Sequence, residues 1–329
     1  MSKKILITGG AGFIGSNIAR VLEERFPNYE ITIFDKFNSG EKRDNGHFEY
    51  FGDFKNLKNI NCKVVSGDLK SSTDVENLLK ESYDVIFHQA AISDTTVTNQ
   101  TEVLITNTNS FDYFLNYAKR KSCTLIYASS AGVYGNSAAP NLVGFGELPE
   151  NIYGYSKLAM DMMARSFISS NPGIRVVGLR YFNVYGPGEL YKRRTSSMIL
   201  QLAKQALESR KIRLFKHGEQ KRDFVYISDV VDANINAMEA ESGIYNIGSG
   251  ISRSFNDIYK CIQDELESNI NVEYFDNPYS FYQNNTCAEL VSSNKGISYT
   301  PKVSLEEGIH QYINVIKQYN QTEWKSFNE

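Results

Sequence analysis

The stretch that most constrains this chain lies near its N-terminus. The apolar run Ile5-Leu6-Ile7 leads into Thr8-Gly9-Gly10-Ala11-Gly12-Phe13-Ile14-Gly15, and from Ser16 to Glu24 the residues Ile18, Val21 and Leu22 recur at helical spacing. Strand, glycine turn and helix in that order form a cradle for a pyrophosphate. The early glycines allow a tight turn and close backbone approach, Gly15 lets the helix pack on the strand, and phosphate charge sits at the positive helix N-terminus. Both G-x-G-x-x-G (Gly10, Gly12, Gly15) and G-x-x-G-x-x-G (Gly9, Gly12, Gly15) fit. A second apolar run, Ile31 to Phe34, ends at Asp35, twenty residues past Gly15, where a ribose-binding carboxylate is expected. These residues predict dinucleotide binding. Asp35 suits the free ribose hydroxyl of NAD, whereas Lys36, Lys42 and Arg43 just beyond it suit the 2′-phosphate of NADP or simply form an exposed loop. The residues alone leave that choice open.

The same alternation continues downstream. Lys63-Val64-Val65 leads to Asp68 and Leu69, and Asp68 is placed to meet the adenine edge. Val85 to His88 leads to Gln89, Ala90, Ala91 and Ser93, small residues that let backbone approach a cofactor; His88 itself reads as packed or hydrogen-bonded. Asn107 opens a helix, capping it or holding a neighbouring loop, and Leu125 to Ala128 ends at Ser129-Ser130. Strands alternating with helices imply an α/β fold, a Rossmann-type doubly wound parallel sheet with ligands at the strand carboxyl ends. With 41% hydrophobic and 22% charged residues there is ample core for it. A net charge of -3 gives no support to a nucleic-acid surface, and no apolar run approaches a bilayer span, so neither partner is expected. Met1-Ser2-Lys3-Lys4 runs directly into the first strand, which argues against a signal peptide. Cys62, Cys123, Cys261 and Cys287 are scattered without metal-ligand spacing; no metal and a cytoplasmic protein with free thiols are expected.

Asn151-Ile152-Tyr153-Gly154-Tyr155-Ser156-Lys157 places a phenol and an amine one turn apart on a helix. Alone, that pair is more often a surface tyrosine and a solvated lysine. A nearby ammonium favours phenolate, which suits a general base acting on a secondary alcohol. Ser130, at a strand end shortly before this helix, supplies a hydroxyl for the same alcohol. Together the three read as catalytic, with Lys157 also binding the nicotinamide ribose.

Thr8 to Gly15, Asp35, Ala128-Ser129-Ser130 and Tyr153/Lys157 resemble, in order and spacing, the extended short-chain dehydrogenase/reductase family. Leu179 to Pro187 and Arg222 to Val230 resemble its nucleotide-sugar branch. A narrower resemblance, to the ADP-glycero-manno-heptose 6-epimerase subfamily, rests on His88 to Thr96, Tyr127 to Gly135, Asn183 to Lys192, and Leu214 to Tyr226. The resemblance covers nearly the whole chain. It implies Tyr153 as one acid/base and Lys192, nine residues after Asn183, as the second. It further implies cofactor contacts from Gly9, Gly12, Phe13, Ile14, Gly15, Asp35, Lys36, Lys42, Asp68, Leu69, Gln89, Ala90, Ala91, Ser93, Asn107, Tyr153, Lys157 and Val184. Substrate contacts would come from Ser130, Asn183, Arg194, Gln201, Phe215, Gly218, Arg222 and Tyr282. Gly188 stands where the subfamily has arginine, Arg194 where it has serine and Gln201 where it has histidine. By itself Lys192-Arg193-Arg194 is a basic cluster that equally suits a solvated loop or a grip on diphosphate.

The implied reaction inverts C6 of an ADP-heptose, a small-molecule nucleotide sugar, with a tightly held NADP, NAD being the alternative. A homo-oligomer such as a pentamer is what the resemblance implies. The expected division places the dinucleotide domain at 1–179 plus 223–249 and a smaller discontinuous α/β substrate lobe at 180–222 plus 250–329. A UDP-hexose 4-epimerase and a nucleotide-sugar 4,6-dehydratase are the rival activities. Ser129-Ser130-Ala131 lacks the acid expected of a dehydratase, and an intact Ser130, Tyr153 and Lys157 argue against a non-catalytic cofactor sensor.

Overall fold

The structure, a computed structural model, describes residues 2–38, 40, 41, 52–276, 285–319, 323, 324 and 327. In chain order the first half comprises β1 (Lys4–Thr8), α1 (Phe13–Arg25), β2 (Glu30–Asp35), β3 (Lys63–Ser66), α2 (Ser72–Leu78), β4 (Val85–His88), α3 (Gln100–Val103), α4 (Ser110–Lys121), β5 (Thr124–Ser130), α5 (Ile152–Ser170) and β6 (Val176–Tyr181). There follow β7 (Asn183–Tyr185), α6 (Met198–Ser209), β8 (Lys211–Phe215), β9 (Lys221–Tyr226), α7 (Ile227–Ala237) and β10 (Gly243–Ile247). The last elements are β11 (Ser252–Ser254), α8 (Phe255–Glu265), β12 (Asn271–Phe275), α9 (Val291–Ile297) and α10 (Leu305–Ile316).

Seven strands form one parallel sheet in the order β10-β6-β5-β4-β1-β2-β3. Ile5, Leu6 and Ile7 are all fully buried, as a central strand covered on both faces requires. Strand order reverses on either side of β1, so the crevice between the ends of β1 and β4 is the switch point where ligands bind in such sheets.

Helix α1 begins at Phe13, inside the glycine motif and ahead of the expected Ser16. Its first turn therefore brings free N–H groups to the crevice. Gly9 has φ +67, and a Cβ there would lie 2.7 Å from the Ala90 backbone nitrogen; a Cβ on Gly15 would run into the Gly9 carbonyl. Gly10 packs on Ile33 instead, so the spacing that faces the crevice is Gly9, Gly12 and Gly15.

Asn107 does not open a helix. It lies in a π-helical turn, Leu104–Asn109, between α3, which Asn99 caps, and α4. Strand β9 also departs from expectation, joining β7 and β11 in a three-stranded sheet while α7 packs back on α1. Strands β8 and β12 pair separately; α6 packs on β8, and α8 and α10 pack on α6 and on each other. One apolar core runs from Ile5 through to Ile316. The expected boundaries at 179/180 and 222/223 fall inside β6 and β9.

Candidate active site

A cavity of about 450 Å³ opens at the carboxyl ends of β1 to β6. Gly9, Gly12, Phe13, Ile14 and Gly15 form one wall; Asp35, Lys36, Asp68 and Leu69 lie at one end. Gln89, Ala90, Ala91 and Ser93 follow β4, and Ser130, Tyr153, Lys157, Asn183, Val184 and Lys192 complete the other end. The glycine turn at the N-terminus of α1, where a Cβ on Gly9 or Gly15 would meet neighbouring backbone, fits the pyrophosphate of a dinucleotide.

Asp35 is buried, and its carboxylate accepts from the backbone N–H groups of Ala11 (3.0 Å), Phe37 (3.0 Å) and Gly52 (3.1 Å), with Lys36 N–H as a further donor. Burial nonetheless raises its pKa, opposed by those donors. The acid thus fastens the turn after β1 to the backbone beyond β2. Lys36 lies on the wall with its amine 3.3 Å from Asp68.

Helix α5 is capped by the Asn151 side chain, which accepts from the Gly154 N–H. That cap sets the turn from which Tyr153 and Lys157 project. Lys157 is buried and donates to the Ala128 carbonyl at 2.7 Å. Burial depresses it to about 8, against the attraction of Asp161. Tyr153 hydrogen-bonds Ser130, which pulls its pKa down while burial pushes it up further. The Lys157 amine is turned to the β5 backbone. Lys192 sits in the turn Leu190–Thr195, its amine 5.6 Å from the Phe13 ring centre. Burial lowers its pKa and Glu189 opposes the shift.

Behind this end lies a buried polar network. Asp161, one turn beyond Lys157, accepts from Tyr127 (2.8 Å), Ser129 (3.0 Å) and Arg180 Nε (2.8 Å). Arg180, itself fully buried, also reaches Glu147 (2.6 Å) and the Tyr134 hydroxyl (2.9 Å). Asp161 couples α5 to the end of β5 through Tyr127 and Ser129, and its pair with Arg180 couples α5 to β6. Removing one member of a buried ion pair strands the other without its partner. Arg180→Leu is therefore expected to cost about 3–5 kcal/mol in urea unfolding; a loss below about 1 kcal/mol would show that the network carries little.

Several expected contacts point elsewhere. Asn107 is buried and does not line the cavity: its amide donates to the Ile92 carbonyl and Ser156 Oγ and accepts from the Ile92 N–H. It is a strut between the β4 loop and α5. Arg194 pairs with Asp94 at 3.7 Å, and Gln201 folds back onto the carbonyls of Arg194 and Ser196. Phe215 stacks edge-on against Phe275, Gly218 makes the turn after β8 with φ +75, and Arg222 is buried in β9 with Nη1 on the Lys221 carbonyl. None of these lines the cavity. Lys42 and Tyr282 lie outside the described residues. His88 is packed between Phe111 and Phe114, bonded to Thr8, and held neutral at about 3 by burial.

The cavity also uses residues that sequence reasoning passed over: Thr106, Tyr181, Phe182, Thr195, Ser196, Ser197, Met198, Phe224 and Phe255. Ser197 had a legible signal, a serine just ahead of a helical apolar pattern, and it does cap α6. Phe255 had none. Among the described residues no group of acids, histidines and cysteines could hold a metal ion, and no helix is long and apolar enough to cross a membrane.

A glycine turn fit for a dinucleotide that continues into a tyrosine–lysine–serine cluster defines a cofactor site beside proton-transfer groups on a doubly wound sheet. The chain belongs to the NAD dependent epimerase/dehydratase family, whose profile matches residues 5–248. Its relatives point to the epimerase side. The ADP-L-glycero-D-manno-heptose-6-epimerase of Brachyspira hyodysenteriae is 32% identical over 325 residues, 95% of this chain and 98% of that one. The crystal structure of the Helicobacter pylori ADP-L-glycero-D-manno-heptose-6-epimerase is 44% identical, with a TM-score of 0.87 over 97% of both chains. A UDP-N-acetylglucosamine 4-epimerase from Methanobrevibacter ruminantium is 28% identical, with a TM-score of 0.85 over 97% of this chain and 99% of that one.

Proposed function

We propose that the protein interconverts ADP-D-glycero-D-manno-heptose and its L-glycero epimer at C6, supplying heptose for the inner core of lipopolysaccharide, with Tyr153 and Lys192 as its two acid/bases. The observation that carries this reading is that Tyr153 on α5 and Lys192 in the turn before α6 line one cavity from separate elements. Relatives bearing that activity over nearly the full length support it.

Residues 1–179 plus 223–249 would hold the cofactor, with the glycine turn on the pyrophosphate and Lys157 on the nicotinamide ribose. Residues 180–222 plus 250–329 would form the sugar end. The chemistry such a cofactor supplies is reversible hydride transfer without net redox change. One acid/base takes the C6 hydroxyl proton while the hydrogen on C6 leaves as hydride for the cofactor, so that the secondary alcohol becomes a transient 6-ketone. Rotation about C5–C6 presents the opposite face of the ketone, the hydride comes back to C6 on that face, and the other acid/base returns a proton to oxygen. Ser130 holds the reacting oxygen near Tyr153. A proton donor on each side is what an inversion needs.

The cofactor proposed is NADP. Asp35 has its oxygens engaged by backbone N–H groups, which leaves it poorly placed to receive a ribose diol, while Lys36 supplies a cation on the same wall. Denaturing the purified protein and identifying the released nucleotide by mass spectrometry is expected to yield NADP; NAD alone would refute this choice. For the activity, the protein is incubated with ADP-D-glycero-D-manno-heptose without added cofactor and followed by proton NMR. Absence of the L-glycero epimer would sink the assignment.

A further inference from the structure

Glu189 plays no part in the scheme above, yet it is fully buried three residues before Lys192. Its carboxylate accepts from the Gly186 N–H (3.2 Å), the Ser197 N–H (2.5 Å) and the Ser197 hydroxyl (2.7 Å). Its backbone carbonyl accepts from the Lys192 N–H at 2.9 Å. One side chain therefore ties the end of β7 to the cap of α6, closing the loop that carries Lys192 at both ends. A buried carboxylate is costly unless its lone pairs and charge are answered. A surface glutamate would have closed the loop at no such cost.

We infer that Glu189 is the positioning residue for Lys192, bracing the loop that carries it and supplying its counter-charge. The inference rests on the reading of Lys192 as the second acid/base. Phe13 from α1 faces the amine, and Arg193 and Arg194 share its loop, Arg194 being paired with Asp94. Tyr312 on α10 and Tyr319 just beyond it face Glu189, and Tyr191 stands beside Lys192 in the turn. Burial raises these three phenols; it raises Glu189 as well, opposed by the Lys192 charge and by the Ser197 and Gly186 donors, and Glu189 is the carboxylate whose charge acts on the amine. The sign follows directly: burial favours the neutral amine and Glu189 favours the ammonium. Without the carboxylate charge, Lys192 loses its proton at lower pH.

The test is the pH dependence of Lys192 acetylation in the holoenzyme, followed peptide by peptide with mass spectrometry. In Glu189→Gln the profile is expected to move about one pH unit to the acid side, and the kcat/KM limb that depends on Lys192 moves with it. An unmoved profile in a folded Glu189→Gln protein overturns the inference. Ser197→Ala loosens the brace but keeps the charge; it is expected to lower Tm and leave the acetylation profile in place. A profile that moves in Ser197→Ala would overturn the inference as well, and this variant serves if Glu189→Gln does not fold. The two ideas fail separately. Full turnover in Lys192→Met refutes the two-base reading, whereas an inactive Lys192→Met beside an unmoved Glu189→Gln profile refutes only the role of Glu189.

Discussion

Tyr153→Phe is expected to lower kcat by about 10³-fold, within the range general acid–base groups contribute, while the cofactor stays bound. The substitution removes one oxygen and keeps a ring of the same shape. The ring sits in the first turn of α5 beside Gly132, so Phe retains that packing. What is lost is the hydroxyl that Ser130 engages and that the proposed reaction needs as proton carrier. The glycine cradle and Lys157 are untouched, so nucleotide released on denaturation should match the unmodified protein. Because the interaction lost belongs to the transition state, kcat should fall with little change in KM. Turnover within ten-fold of the unmodified protein would remove Tyr153 from the mechanism.

Lys192→Met should be nearly as damaging, a loss of roughly 10²–10³-fold. Methionine keeps an unbranched apolar stem of similar length against Phe13, so the loop retains its packing. The proton donor goes. Burial lowers the Lys192 pKa, so its neutral form is reached more readily than on a surface lysine. The double variant Tyr153→Phe/Lys192→Met discriminates between schemes. If both groups serve one inversion, the second substitution adds far less than its single effect. Multiplicative losses would mean that the two contribute independently to one and the same step.

The parts of the site that were legible in the sequence are those in which neighbours along the chain are also neighbours in space. The glycine turn, Asp35, and the Tyr153/Lys157 pair each sit within one strand–turn–helix unit, where spacing fixes direction. Spacing does not fix every bond even there: Lys157 shares a helix face with Tyr153, and its amine also reaches the Ala128 carbonyl. Asn107 stood at a plausible cofactor position, yet a π-helical turn carries it into the protein, where the Ile92 backbone and Ser156 take its amide. Arg194 and Gln201 follow a loop whose course is set by partners far away, Asp94 and the Glu189 brace, which no local spacing reveals. Asp161 was the missed opportunity. It follows Lys157 by one turn, and a carboxylate on that buried helix face demands a cation, which β6 supplies as Arg180.

The sheet order has a consequence for how the chain is made. Strand β1 pairs on one edge with β2, Ile5 opposite Ile31, but its other edge waits for β4, Ile5 opposite Val85. At 5–20 residues per second the ribosome needs about 4–16 s to cross that gap. Throughout it, the most apolar strand of the N-terminal unit has a bare edge. Non-local parallel pairing also closes slowly once both partners exist. Nascent chains interrupted before Val85 are therefore the form of this protein most exposed to aggregation and most in need of a chaperone.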